Sequence, residues 1–175
     1  GILDADSMLN YPDFRAYEHA FTMMCQVSGR AGRRGDRGLV ILQTRSPQLP
    51  VVRQVVANDC DSFYRDLFAE RELFHYPPFS HLIYVFLRHK QEPIVEAAAM
   101  ELGALLRRSL AERVLGPDKP SVARVKQMHI RKLVIKLELG ADLRAVRQLL
   151  LRTKAQLLTV KAYSSLQMFF DVDPL

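Results

Sequence analysis

The sequence predicts an α/β segment followed by an α+β domain. Three observations carry this reading. Residues 1–44 read as strand, loop, helix and strand, a piece of a parallel sheet. Residues 80–171 read as strand, helix, strand, strand, helix and strand, with the apolar period switching between 2 and 3.6. Between them stands Tyr76-Pro77-Pro78-Phe79, expected to be extended because residues before proline avoid the helical region. The domain boundary falls there, giving residues 1–75 and 76–175.

Each element of the first part has its reason. Gly1-Ile2-Leu3-Asp4 reads as the end of a buried strand, with Asp4 and Asp6 at its carboxyl end. Open α/β sheets hold ligands at such ends, and the same acids also suit a turn cap. Asn10 and Pro12 make residues 7–12 a loop. Asp13 is an N-cap type, and a helix is predicted from it to about Gly32. Tyr17, Ala20, Phe21, Met24, Val27 and Ala31 recur on its buried face. Residues 38–44 are apolar nearly throughout and predict a strand buried on both faces. Pro50 opens a helix to about Ala57. A second helix runs from Asp59 or Asp61 to about Leu73, with Phe63, Leu67 and Phe68 inward.

The second part alternates over 80–88 as a strand. A helix over 93–113 buries Val95, Ala98, Leu102, Leu105, Leu106 and Leu110. Gly116-Pro117-Asp118-Lys119-Pro120 predicts a turn. Residues 122–128 and 131–139 predict two pairing strands, 142–158 a helix after Gly140, and 163–171 the last strand. This order is the ferredoxin-like split β-α-β unit. Such a unit packs both helices on one face of an antiparallel sheet and leaves the other face open. Over 131–139, Leu133, Ile135 and Leu137 point one way, and Lys132, Val134 and Lys136 the other. Arg124 and Lys126 alternate likewise. Sharing the open face, these cations form a platform for a phosphate backbone; otherwise they are an ordinary solvated face. Tyr84 and Phe86 either stack on bases or pack against a helix. Arg144, Arg147, Arg152 and Lys154 form a second basic cluster, for binding or for solubility.

Composition bounds the function. The chain has 175 residues, 49% hydrophobic, enough for one ordinary domain or two small ones. No apolar run approaches the ~20 residues that cross a bilayer, so no membrane partner is expected. Gly1-Ile2-Leu3-Asp4 lacks the basic start of a signal peptide. It reads as a cut through a strand, and a fragment of a longer protein is expected. Residues 1–70 carry 8 Lys/Arg against 9 Asp/Glu, and residues 71–175 carry 17 against 10. The basic excess belongs to the second part and points to a polyanion partner. Cys25 and Cys60 lack zinc-ligand spacing and read as free thiols, with a structural disulfide disfavoured in a cytosolic-looking chain. The five histidines form no metal pattern.

The stretch Gln26-Val27-Ser28-Gly29-Arg30-Ala31-Gly32-Arg33-Arg34-Gly35 carries the chemistry. On a helix Gln26, Arg30 and Arg33 stand at i, i+4 and i+7 and share one face. Gly29 and Gly32 remove side chains beside it. One amide and two guanidiniums then suit phosphate oxygens. An Arg- and Gly-rich helix C-terminus matched to the helix dipole has the same composition.

The spelling Q-x-x-G-R-x-G-R resembles the last conserved motif of superfamily 2 helicases. Leu3-Asp4-Ala5-Asp6, Tyr11-Pro12-Asp13-Phe14-Arg15-Ala16-Tyr17-Glu18, residues 38–44, Tyr76-Pro77-Pro78-Phe79 and Asp171-Val172-Asp173-Pro174 extend the likeness. In that order they resemble the C-terminal part of the bacterial primosomal replication helicase family (PriA, primosomal protein N′), nearly end to end. The resemblance implies that residues 1–75 end the second RecA-like helicase lobe and residues 76–175 form a ferredoxin-like DNA- or protein-binding domain. It implies an ATP-dependent DNA helicase that restarts stalled forks by primosome assembly. Arg30 and Arg33 would contact the ATP γ-phosphate, Arg33 as arginine finger, and Gln26 would couple that phosphate to DNA. ATP with Mg²⁺ is implied in the full-length enzyme. Zinc is implied there too, its cysteine cluster lying outside this chain. The implied partners are forked and single-stranded DNA, single-stranded DNA-binding protein and primosome proteins. The implied location is cytoplasmic, with the nucleoid. Arg124, Lys126, Lys132, Lys136 and Tyr84 are the DNA-binding candidates of the second part. His19 departs mildly from the family pattern. A stand-alone nucleic-acid-binding or scaffold protein has no need of the Gln26–Arg33 face, and an RNA-directed superfamily 2 enzyme has no need of Tyr76-Pro77-Pro78-Phe79.

This chain lacks a phosphate-cradling G-x-x-x-x-G-K-[ST] loop, so the purified 175-residue chain should not hydrolyse ATP, with or without DNA. In the longer enzyme, Arg33→Ala should lower kcat about 10³-fold or more with DNA affinity nearly unchanged. Steady-state ATPase and DNA-binding assays on the same preparation check both halves of that expectation.

Overall fold

Alternation of apolar and polar residues over 128–138 produces an eleven-residue strand, β4 (Met128–Glu138), in the computed structural model, which describes residues 1–31 and 39–174. Leu133, Ile135 and Leu137 are buried on one side of it, and Lys132, Val134 and Lys136 are half-buried on the other. Its partner β1 (Ser80–His89) runs antiparallel from Ser80 opposite Glu138 to His89 opposite His129. The other elements of this unit are helix α5 (Glu92–Leu110), strands β2 (Val114–Asp118) and β3 (Arg124–Val125), helix α6 (Leu143–Leu158) and strand β5 (Gln167–Val172). The sheet order is β2-β4-β1-β5, all pairs antiparallel, with β3 added to β4. The molecule is thus mixed helix and antiparallel sheet, and it divides into two units, Gly1–Leu73 and Phe74–Leu175.

Both helices of the second unit pack on one face of its sheet. Ile83, Val85 and Leu87 of β1 and Leu133 and Ile135 of β4 meet Val95, Leu102 and Leu106 of α5 and Val146, Leu150 and Leu157 of α6. Burying each such side chain contributes about 1.5–3 kcal/mol. The start of α6 is set by Asp142, whose carboxylate accepts from the backbone N–H of Arg144 at 2.9 Å and of Ala145 at 3.1 Å.

Several expectations are corrected here. Gly116 and Pro117 lie inside β2 rather than in a turn. The pairing with β4 slips between Leu115 and Asp118. Gly116 holds φ +87° there, and a Cβ would meet the Lys132 carbonyl at 2.9 Å, so the irregularity requires glycine. The predicted strand over 122–128 shrinks to Arg124–Val125, because Lys126 and Gln127 both take positive φ and form a two-residue hairpin turn into β4. Lys126 is therefore a turn residue. Tyr76-Pro77-Pro78-Phe79 is a turn closed by Phe79 N–H donating to Tyr76 O at 3.0 Å, with a cis bond before Pro78 redirecting the chain. Residues 161–163 are a 3₁₀ turn, and the last strand starts at Gln167.

The first unit is built of α1 (Ala5–Leu9), α2 (Ala16–Ala31), α3 (Pro50–Ala57) and α4 (Cys60–Leu73). Residues 7–9, expected as loop, belong to α1. Helix α2 starts at Ala16, since the Asp13 carboxylate turns back to the Arg15 N–H at 2.8 Å. Ala20, Phe21 and Met24 meet Val51, Val52, Phe63 and Leu67 in its core. Tyr17, Ala31 and Phe68 are exposed instead of buried. The expected strands at 1–4 and 38–44 reduce, over the described residues, to one parallel bridge between Ile2 and Leu42. Ile2 N–H donates to Ile41 O at 2.8 Å and Gln43 N–H to Ile2 O at 2.9 Å. Leu39 (84% exposed) and Ile41 (66%) are not buried on either face, because this pair has no flanking strand among the described residues.

One charged cluster ties β4 to α5. Arg131, 2% exposed, donates to Glu92 at 2.7 Å and to Glu96. Lys119 adds a 3.0 Å contact to Glu92. These bonds, from Arg131 first and Lys119 second, pull the Glu92 carboxyl down to about 2. A carboxyl depressed in the folded state stabilises the fold above its unfolded value of 4.5 and loses that contribution as pH falls toward about 2. Glu92→Gln should therefore destabilise the chain at pH 7, and that cost should shrink steadily as pH falls toward about 2. Urea denaturation midpoints of both proteins across that range check the convergence. In the core, Leu133→Ala should cost about 2–5 kcal/mol at any pH.

Candidate nucleic-acid and phosphate-binding residues

Period-2 geometry decides what the helix-free face of the second unit displays. On β1 it is Tyr84, Phe86 and Arg88; on β4, Lys132, Val134 and Lys136; on β5, Phe169 and Asp171. Tyr84 and Phe86 thus lie opposite the helices. Register sets Phe86 across from both Lys132 and Phe169. The Phe86 and Phe169 rings stack with centroids 5.0 Å apart and planes 18° from parallel. Tyr84 meets Phe86 edge to face at 6.1 Å. The Arg88 guanidinium lies 4.5 Å over Phe169, and the Lys132 ammonium 4.4 Å over Tyr84. Each is cation–π distance. Arg88 is half-buried, and its Nε is itself buried without a hydrogen bond.

The structure divides the four predicted cations. Lys132 stands in the middle of the face. Lys136 is engaged elsewhere: its ammonium donates to Phe74 O at 2.7 Å and lies 3.7 Å over the Tyr76 ring. Burial there pushes its pKa down. Arg124 and Lys126 are exposed on the β3 hairpin. Arg88 and Phe169 were not predicted. Arg88 closes an alternating run, His-Leu-Ile-Tyr-Val-Phe-Leu-Arg, that assigns it to the Tyr84 face. Phe169 needed the β1–β5 register, which sequence does not supply. Asp173, in the closing motif, is structural: its carboxylate accepts from the Leu82 N–H at 2.9 Å and contacts His81 Nδ1 at 3.0 Å.

In the first unit, Gln26 and Arg30 are exposed one turn apart on α2, and a Cβ at Gly29 would meet nothing within 4 Å. The described pair fits an anionic oxygen reaching the helix surface. Arg33 lies outside the described residues. Asp6 is engaged within the chain. Its carboxylate accepts from the Arg45 N–H at 2.8 Å and the Thr44 hydroxyl at 2.9 Å, which lower its pKa in that order. Glu18 accepts from buried Arg71 at 2.7 Å. Among the described residues, no three His, Cys, Asp or Glu side chains gather into a metal-holding group. No described helix is long and apolar enough to cross a membrane.

Known proteins are similar to this chain along its length. Over 138 residues it is 43% identical to the replication restart protein PriA of Treponema pallidum, covering 78% of this chain and 21% of that protein. The protein of the same name from Synechocystis is 32% identical over 181 residues, covering all of this chain and 20% of the relative. That of Bacillus subtilis is 33% identical over 148 residues, 83% of this chain and 18% of the relative. The chain thus spans about a fifth of the length of these relatives. The family described as "Primosomal protein N C-terminal domain" matches residues 72–175, more than half of the chain. With the antiparallel unit that those residues form, this places the chain in the primosomal protein N (PriA) C-terminal domain family.

Proposed function

We propose that this chain is the C-terminal segment of an ATP-dependent DNA helicase acting in replication restart. In this reading its second unit binds DNA. The relatives' name, replication restart protein, supports the process. The observation that carries the DNA reading is the helix-free sheet face, where Tyr84, Phe86 and Phe169 lie among Lys132 and Arg88. Rings offer π surface to bases, and cations offer charge to phosphates. The strand order β2-β4-β1-β5 with two helices on one face supports a ferredoxin-like assignment for this unit.

The first unit takes the part of the end of a RecA-like lobe. Gln26 and Arg30, with Arg33, hold the γ-phosphate of Mg²⁺-bound ATP in the longer enzyme. ATP supplies the phosphoryl group whose transfer drives the cycle. The two guanidiniums neutralise charge on its terminal oxygens, and Gln26 orients groups beside them. Zinc belongs to the longer protein's own cysteines. Forked and single-stranded DNA, single-stranded DNA-binding protein and primosome proteins are the partners, in the cytoplasm at the nucleoid.

The test is a titration of labelled single-stranded and forked DNA at several salt concentrations. Binding by this chain should show log K falling against log salt with a slope of about −2 to −4. Lys132→Glu and Arg88→Glu should each flatten it. Phe169→Ala should weaken single-strand binding by about 1–3 kcal/mol, the scale of one lost base stack. Lys136→Met should matter less than Lys132→Glu, because Lys136 is already spent on Phe74 and Tyr76. Unchanged binding in all three face variants would move the DNA to the Arg144–Arg147 side. No binding by the parent chain would favour a protein-docking module.

A further inference from the structure

Helices α2 and α4 touch at two places whose order is opposite along the two helices. Glu18 of α2 accepts from Arg71 of α4 at 2.7 Å. One turn on along α2, Phe21 stacks on Phe63 with centroids 3.8 Å apart and planes within 2°. As α2 advances, α4 runs back. The next turn of α2 brings Cys25, and the next turn back along α4 brings Cys60. Residues 18, 21 and 25 share one stripe of α2, and 60, 63 and 71 share one of α4. Followed one turn past the Phe21–Phe63 stack, the two helices bring Cys25 toward Cys60, although 35 positions separate them in sequence. Their proximity has an electrostatic trace: burial raises the pKa of Cys25, and Cys60 raises it further. The thiols differ in access, since Cys25 is half-buried and Cys60 is exposed at the first residue of α4.

We infer that Cys25 and Cys60 are a reactive thiol pair that a peroxide-class oxidant converts to an intramolecular disulfide between α2 and α4. The exposed Cys60 sulfur reacts first. It attacks one peroxide oxygen, the O–O bond breaks, and Cys60 becomes a sulfenic acid with release of one water. The Cys25 sulfur then attacks the Cys60 sulfur. The S–S bond forms, the S–O bond breaks, and the hydroxyl leaves with the Cys25 proton as a second water. The thiols supply two electrons, and the peroxide takes them. Cys60 can approach because it begins its helix, directly after the turn at Asn58 and Asp59. The bond would tether the helix that carries Gln26 and Arg30, so oxidation reaches the phosphate-facing motif without depending on how the sheet face binds DNA.

The test treats the dilute 175-residue chain with hydrogen peroxide, counts free thiols and maps peptides without reduction. Both thiols should disappear together, with a Cys25–Cys60 peptide, a mass lower by two hydrogens, and full reversal by dithiothreitol. Cys60→Ser should slow the loss of the Cys25 thiol at least about tenfold, as removing a partner held at mM effective concentration requires. Cys25→Ser should leave a Cys60 sulfenic acid that dimedone captures. Urea should abolish the selective pairing, and far-UV circular dichroism of the variants shows that their helices persist. Three outcomes overturn the inference: Cys60 oxidised to sulfinic acid while Cys25 stays free, Cys25 lost equally fast in Cys60→Ser, or linkage only between molecules and proportional to concentration.

Discussion

The antiparallel pairing of β1 with β4 is the constraint on which the second unit depends. Once Val85 faces Leu133, the pleat commits every other residue of both strands. Ile83, Leu87, Ile135 and Leu137 go to the helices. Tyr84, Phe86, Lys132 and Lys136 go to the far side. A slip by one residue would bury Lys132 and Lys136 and expose Leu133 and Ile135, so the apolar pattern holds the register firmly. The candidate interface is thus a consequence of core packing. Binding residues occupy the positions that the core leaves over, on strands that cannot shift without unfolding the domain. Such a platform is rigid, and it presents its rings at low entropic cost.

Where sequence and structure agree, one period ruled a long segment. Helix α3 appears at Pro50–Ala57, where Pro50 signals its start, and α6 at Leu143–Leu158, after Gly140, with the Asp142 carboxylate capping it in the structure. The misses have physical causes of two kinds. Backbone with positive φ is poorly signalled when the residues are Lys126 and Gln127 instead of Asn and Gly, so this two-residue hairpin turn carries the sequence pattern of continuous strand. Gly116 and Pro117 carried the opposite error, turn residues inside a strand irregularity. The expected strand over 38–44 failed differently. Its composition suits a strand buried on both faces, but burial needs neighbours, and within 39–44 only Leu42 has a bridging one among the described residues.

The site was legible where it depends on one element and obscure where it depends on two. Spacing along α2 puts Gln26 and Arg30 on a common exposed face, and the structure keeps them there. Alternation set Lys132 apart from Leu133 and Tyr84 apart from Val85 but left open which side meets the helices; the structure puts Lys132 and Tyr84 on the helix-free face. Alternation says nothing about what lies across the strand gap. Phe169 beneath Arg88, and Lys136 beside Tyr76, are cross-element facts. The same holds for Cys25 and Cys60, which read as unrelated thiols until the Phe21–Phe63 and Glu18–Arg71 contacts show the two helices running in opposite senses.

Counting cations is therefore a weak measure of an electrostatic surface, and the second unit shows why. Of its Lys and Arg side chains, Arg131 is buried against two glutamates, Arg113 is held bidentate by Glu138, Lys154 donates to Met168 O, and Lys136 caps Phe74. Each of these charges already has an internal partner, and redirecting it to a phosphate would mean breaking that contact first. Arg88 and Lys132 differ in kind. Their contacts on the sheet face are aromatic rings, which attract a cation through the quadrupole but leave N–H donors able to meet an oxygen. A guanidinium stacked on Phe169 is held in place while keeping hydrogen-bonding capacity. That combination of fixed position and unspent donors, more than the excess of positive charge, distinguishes the Tyr84–Arg88 face from the rest of the unit's surface.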